Sequence, residues 1–174
     1  MKNLLITGSA GAGKTTLIRK LSEIFKEFNP AGFYSSEIME EGTLTGFSVT
    51  QLFGDSIILS HVDLKSRYSV GKYHVDIKGF EAMLENMFSR DKKTGLYFID
   101  EIGKMECQSN KFCKLIPDLL SGDKLVIATI SEKGTGIIQD IKKRDDITLY
   151  EINENNREQK LKELTMEIRD LLLE

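Results

Sequence analysis

The chain is predicted to fold as a three-layer α/β sandwich around a mainly parallel sheet, with an antiparallel hairpin inserted after the second strand. Three observations predict it. The apolar runs Leu4-Leu5-Ile6, Leu96-Tyr97-Phe98-Ile99 and Leu125-Val126-Ile127-Ala128 are continuous rather than alternating, as in strands covered on both faces. Helical stretches fall between the strands, so the two kinds of element alternate along the chain. Around Gly54-Asp55 the pattern changes to alternating apolar and polar side chains, the mark of a hairpin with one solvated face.

The elements follow in order. Leu4 to Ile6 is the first strand, and Leu17, Ile18, Leu21, Ile24 and Phe25 then recur at helical spacing. Gly32 to Ile38 reads as the second strand, and Gly46 to Leu52 with Ile57 to Val62 as the inserted hairpin. Phe80, Met83, Leu84, Met87 and Phe88 mark a helix, followed by the strand at 96–99, a helix from Phe112 to Leu120 and the strand at 125–128. A short helix near 136–143, a strand at 147–152 and a last helix from Arg157 to Leu173 complete the pattern. No linker or repeat interrupts it, and 174 residues suit a single domain spanning 1–174. Periodicity says nothing about strand order.

Composition narrows the functional classes. Hydrophobic residues at 40% and charged residues at 29% are ordinary for a globular chain. A formal net charge of −3 implies no broad basic surface for nucleic acid, although a local basic funnel for phosphates is compatible with it. No apolar run approaches the roughly 20 residues needed to span a bilayer, so no membrane association is expected. The glycine-rich segment beginning at Gly8 leaves no room for a targeting stretch, and a cytoplasmic protein is expected. Cys107 and Cys113, six apart and accompanied only by His61 and His74, have neither zinc nor redox spacing. They read as two reduced, partly buried thiols. Protein partners are not legible in the sequence.

The chemistry is concentrated in two segments. Gly8-Ser9-Ala10-Gly11-Ala12-Gly13-Lys14-Thr15 matches the phosphate-binding pattern G-x-x-x-x-G-K-[ST] in full, between a strand and a helix start. A glycine turn that only reverses the chain has no need of that context. The glycines let successive N–H groups face a phosphate, and the helix N-terminus adds partial positive charge. Lys14 is positioned to reach the β- and γ-phosphates as a catalytic cation, and the Thr15 hydroxyl to ligate Mg²⁺. The second segment, Tyr97-Phe98-Ile99-Asp100-Glu101, is an apolar strand ending in two carboxylates, the form of a Walker B segment. Asp100 is expected to hold Mg²⁺ directly or through water, and Glu101 to orient or deprotonate the attacking water. Gly103 allows a turn near the phosphates, with Lys104 and Glu106 as border residues. Lys104 reads equally as a phosphate contact or a surface lysine. Thr129, at a strand's carboxyl end, reads equally as a contact to the water or γ-phosphate or as a plain strand-end threonine.

With these residues in view, the chain resembles the cancer-related nucleoside-triphosphatase family, small stand-alone P-loop proteins also found in thermophiles. The resemblance is carried by Gly8–Thr16, Gly32-Phe33-Tyr34, Val70-Gly71-Lys72-Tyr73, Ile99-Asp100-Glu101-Ile102-Gly103-Lys104-Met105-Glu106, Ala128-Thr129-Ile130 and Asn156-Arg157, and so spans nearly the whole chain. The Asp-Glu-Ile-Gly-Lys-Met-Glu string is far more selective than the phosphate loop alone. The resemblance implies a P-loop fold and Mg²⁺-dependent hydrolysis of several nucleoside triphosphates (ATP, GTP, CTP, UTP) with weak base preference. It also implies nucleotide contacts at Gly8 to Thr15, at Thr16, and through Ile99, Asp100, Glu101, Ile102, Gly103 and Lys104.

The base and the acceptor stay open on the residues themselves. Asn110-Lys111-Phe112-Cys113 lacks the aspartate of a guanine-reading loop, which disfavours a dedicated GTPase. Phe33, Tyr34 or Tyr73 are candidates to stack on any base. A small-molecule kinase uses the same loop, with the hairpin as an acceptor lid, and a slow nucleotide-gated binding module is a third reading. Arginines outside the flanking helices are Arg67, Arg90, Arg144 and Arg157. Arg157, opening the last helix, is the internal candidate to stabilise the transferring phosphoryl group, against an ordinary helix-start residue.

Overall fold

The computed structural model describes residues 3–89 and 93–174, and Arg90 lies outside them. Among the described residues the strands are β1 (Asn3–Thr7), β2 (Ala31–Glu40), β3 (Thr43–Gln51), β4 (Ser56–His61), β5 (Ser69–Val70), β6 (Tyr73–Val75), β7 (Leu96–Ile102), β8 (Leu125–Ile130) and β9 (Ile147–Glu151). The helices are α1 (Lys14–Ile24), α2 (Ile77–Ser89), α3 (Asn110–Leu120), α4 (Ile137–Lys142) and α5 (Arg157–Leu173). The strands form one sheet in the order β5-β6-β4-β3-β2-β7-β8-β1-β9. From β2 to β9 the neighbours are parallel, and the other four strands extend the sheet in antiparallel fashion.

Side chains alternate across the parallel strands and divide the core in two. Leu4 and Ile6 pack with Leu17, Ile18 and Leu21 of α1 and Leu164 and Ile168 of α5. Leu5, between them, packs on the other face with Phe80 of α2, Phe112 and Ile116 of α3, and Ile138 and Ile141 of α4. Strands covered on both faces have no solvated side, which is why their sequences are continuous apolar runs. Gly32 permits the close approach of β2 to β7, because a Cβ there would lie 1.7 Å from the Phe98 carbonyl oxygen. Strand β2 also switches partners along its length. Ala31 to Phe33 pair in parallel with β7, and from Phe33 onward β2 turns to pair antiparallel with β3.

The antiparallel part is larger than the hairpin expected from sequence. The hairpin occupies Thr43–Gln51 and Ser56–His61, and β2 extends to Glu40 as its third member. Strands β5 and β6 add a further ribbon whose turn is Gly71-Lys72, with Gly71 at φ 59°. At two and three residues they are too short to show a period. No helix is long and apolar enough to cross a membrane among the described residues.

Candidate functional site

Because α1 and α5 cover one face of the sheet and α2, α3 and α4 the other, a crevice opens where the carboxyl ends of β1, β7 and β8 meet. Ligands gather at such a switch point in open α/β sheets. The glycine loop sits there. Gly13, the residue before α1, has φ 97°, a left-handed conformation that costs a side-chain-bearing residue energy. A Cβ on it would also meet Arg157 Cδ and Nη1, each at 3.2 Å. The start of α1 therefore presents its free N–H groups to the crevice.

Three side chains, those of Thr15, Thr129 and Ser35, meet around the carboxylate of Asp100. Asp100, 2% exposed, accepts from the Thr15 hydroxyl at 2.6 Å and from the Thr129 hydroxyl at 2.7 Å. The Ser35 backbone N–H and hydroxyl donate to it from 3.3 and 3.4 Å. Lys14 Nζ donates to the Gly8 carbonyl at 2.6 Å and stands 3.8 Å from Glu101 Oε2. The Ser131 hydroxyl donates to Glu101 Oε1 at 3.4 Å.

Consecutive side chains of a regular strand point to opposite faces, yet Asp100 and Glu101 both address the loop. The ladder explains it. Ile99 pairs with Ala128 and Ile102 with Ile130, so Asp100 and Glu101 together oppose Thr129 alone. This extra residue is a β-bulge, the usual device for re-aiming a side chain beside a site. The Asp100–Glu101 peptide bond is cis.

Two carboxyls here titrate high. Burial pushes Glu101 up, helped by Asp100 and opposed by the Lys14 ammonium and the Ser131 hydroxyl. Glu106, 5% exposed, is pushed up to about 8, first by burial and then by the charge of Glu101, against backbone N–H groups of Glu106 and Gly103. Gly103 lies between the two: a Cβ on it would come within 2.8 Å of Glu101 Oε1 and 2.9 Å of Glu106 Oε2. Glu106 is thus a neutral acid at pH 7, and Glu101 the better proton acceptor for its partial burial.

A cavity of about 550 Å³ joins these groups, lined by Ser9, Ala10, Gly11, Gly13, Lys14, Thr15, Thr16, Asp100, Glu101 and Arg157, with residues of β2 and β3. Most residues singled out from sequence are therefore brought together. Some are not. Ile99 and Ile102 are wholly buried in the core, so their side chains cannot touch a nucleotide. Gly8 and Ala12 are buried beneath the loop surface. Thr129 is wholly buried with its hydroxyl engaged by Asp100, which corrects its expected contact to the water or γ-phosphate. Lys104 lines a separate side cavity of about 210 Å³ next to Glu101 and Glu106, not the loop cavity. Phe33 is buried in the core and unable to stack on a base.

Of the arginines, Arg67 stacks on Tyr68, and Arg144 is bound to Asp146 at 2.6 and 2.7 Å. Arg157 is the one of the described three that lines the loop cavity. The sequence reading missed Ser35 and Ser131. Ser131 carried a faint signal, two residues beyond Thr129 at a strand's end. Ser35 carried none, since its contact requires knowing that β2 adjoins β7. Cys107 and Cys113 are free, half-buried thiols, as expected.

A glycine loop between β1 and α1, facing a strand-end Asp-Glu pair across a parallel sheet of this order, defines a nucleotide-binding protein of the P-loop class. Comparison with known proteins narrows it. The pattern of the NTPase family matches residues 3–165. A nucleoside-triphosphatase THEP1 of Thermotoga sp. (strain RQ2) is 42% identical over 165 residues, covering 92% of each chain. The human cancer-related nucleoside-triphosphatase is 34% identical over 172 residues, covering 90% of each. The crystal structure of THEP1 from Aquifex aeolicus superposes with a TM-score of 0.83 at 31% identity, over 94% of this chain and 96% of that one. The solution structure of a human cancer-related nucleoside triphosphatase gives 0.82 at 31% identity, over 98% of both. The chain belongs to the NTPase family.

Proposed function

We propose that this protein hydrolyses the β–γ anhydride of nucleoside 5′-triphosphates, releasing nucleoside diphosphate and phosphate, with Mg²⁺ and with weak preference among bases. It acts as one domain over residues 1–174. The observation that carries this reading is the convergence of Lys14, Thr15, Asp100 and Glu101 on one cavity at the carboxyl ends of β1 and β7. The names of its relatives, nucleoside-triphosphatases from bacteria and human, support it.

The donor set fits the metal. Thr15 and Asp100 offer hard oxygens 2.6 Å apart beside the loop, the arrangement that suits Mg²⁺ sharing its shell with phosphates and water. Held by Thr15 and Asp100, an Mg²⁺ ion would supply positive charge against the negative charge developing on the transferring phosphoryl group. The chain's own groups do the rest. Loop N–H groups hold the β-phosphate, and Lys14 exchanges the Gly8 carbonyl for β- and γ-oxygens. Glu101 accepts the proton of the attacking water, with its raised basicity and the Ser131 hydroxyl fixing its orientation. Asp100 keeps Thr15 in place, itself held by Thr129 and Ser35.

Base tolerance follows from where the polar groups lie. Those described above address phosphates, which every nucleoside triphosphate shares, and strong discrimination needs buried groups matched to one base edge. ATP, GTP, CTP and UTP should give kcat/KM values within about two orders of magnitude of one another. A cytoplasmic setting agrees with two thiols kept free. The side cavity beside Glu101 favours one second reading, phosphoryl transfer to a small acceptor. Product analysis decides between them: free phosphate at one equivalent per diphosphate supports hydrolysis, and a phosphorylated acceptor overturns it. Lys14→Ala should abolish phosphate release and weaken triphosphate binding. Wild-type rates from that variant would remove the loop from the active site.

A further inference from the structure

A second cavity, of about 540 Å³, lies between α1, β2 and the β3–β4 turn. Its lining includes Thr16, Arg19 and Lys20 of α1, Tyr34 of β2, Gln51 at the end of β3 and Phe53 of the β3–β4 turn. Thr16 lines this cavity and the phosphate cavity alike, so the two adjoin at the start of α1. A triphosphate with its γ end at Lys14 and Glu101 would have a way out of the loop past Thr16. Its sugar and base would then reach the cavity that Thr16 also lines.

The lining chemistry suits a flat aromatic ring. The Arg19 guanidinium carbon lies 4.9 Å from the centre of the Tyr34 ring, a stacked cation–aromatic platform beside a phosphate site. Phe53 is 64% exposed and sits at φ 56°, a conformation uncommon for a bulky residue, with most of its surface in water. Gln51 is the lone side-chain amide of the lining, and its rotation offers either a donor or an acceptor to a base edge. A smaller recess of about 180 Å³, also lined by Thr16, has no aromatic ring among its described lining residues.

We propose that the groove formed by Arg19, Tyr34 and Phe53 is the nucleobase subsite, which holds purines and pyrimidines alike by stacking. The proposal rests on the reading of the glycine loop as a nucleoside-triphosphate site. Stacking on an aromatic or guanidinium plane is tolerant of base identity because every base has a π face. The subsite therefore adds affinity for the nucleoside without choosing among nucleosides.

The test compares nucleotides with a triphosphate that has no base. Dissociation constants are measured at fixed Mg²⁺ for ATP, GTP, CTP, UTP and inorganic tripolyphosphate, on wild type, Phe53→Ala and Tyr34→Leu. Phe53 lies outside the strands and is exposed, so Phe53→Ala keeps the fold even if Tyr34→Leu does not. Wild type should bind all four nucleotides more tightly than tripolyphosphate. Each variant should weaken the four by a similar factor, roughly 10-fold, and leave tripolyphosphate within about twofold of its wild-type value. Equal weakening of tripolyphosphate, unchanged nucleotide binding, or loss confined to one base would each overturn the proposal. Failure of wild type to bind either nucleotide or tripolyphosphate would instead overturn the reading of the loop.

Discussion

The Thr15 hydroxyl donates to Asp100 across 2.6 Å, joining residues 85 apart in the chain and tying the end of the glycine loop to the end of β7. Neither group is free to move alone. Thr129 and Ser35 hold Asp100 from β8 and β2, so three elements fix the atoms that would share a metal ion. Asp100→Asn keeps the shape but replaces one acceptor oxygen by an N–H₂ donor, which cannot accept from its present partner or face a cation. The Mg²⁺ concentration giving half-maximal activity should rise by roughly 10-fold or more. Kinetics under Mg²⁺ titration check this, and an unchanged requirement would mean that the metal is held elsewhere.

Glu101 should separate binding from turnover. Its carboxylate touches Lys14 and Ser131, while the loop grips the phosphates by backbone groups that a change at Glu101 does not alter. Glu101→Gln removes proton acceptance with little change of shape. The affinity for triphosphate should stay near wild type while kcat falls by about 10²-fold or more. Matched losses in both quantities would show instead that Glu101 serves only to position Lys14.

Arg157 lies against Gly13 and no salt bridge holds its guanidinium among the described residues. It is exposed, so it can swing onto a bound phosphate chain without breaking an ion pair. Arg157→Ala should lower kcat by roughly 10-fold or more, with a smaller change in KM, because charge stabilisation counts most in the transition state. Steady-state kinetics decide the matter. A kcat equal to wild type strikes Arg157 from the site.

Glu106 makes the fold sensitive to pH. In the fold its carboxyl is held up to about 8, against an ordinary value of 4.5. The folded state therefore binds more protons than the unfolded chain between those values, and stability falls as the pH rises through that window. Glu106→Gln keeps a neutral side chain at every pH. Its melting temperature relative to wild type should climb between pH 4.5 and about pH 8 and level off above. A difference that stays flat across thermal melts in this range refutes a buried, neutral Glu106.

The glycine loop, the Asp100-Glu101 pair and the alternation of parallel strands with helices were legible in the sequence because each is a local matter. Turn conformation, helix start and double-sided burial depend on residues a few positions apart, and the amino-acid types record them directly. Even the thiols at Cys107 and Cys113 could be read from spacing. What surrounds the pair was decided only by the tertiary structure. Ser35 reaches Asp100 because β2 lies beside β7, and strand order leaves no periodic trace. Thr129 turned out to brace Asp100 rather than face a phosphate, since the bulge opposite it aims two consecutive carboxylates at one loop. The sequence places Glu106 at the border of the site, but its neutrality comes from the burial that packing imposes. Long-range neighbours set register, burial and the local dielectric, and none of these is carried by any one stretch of the chain.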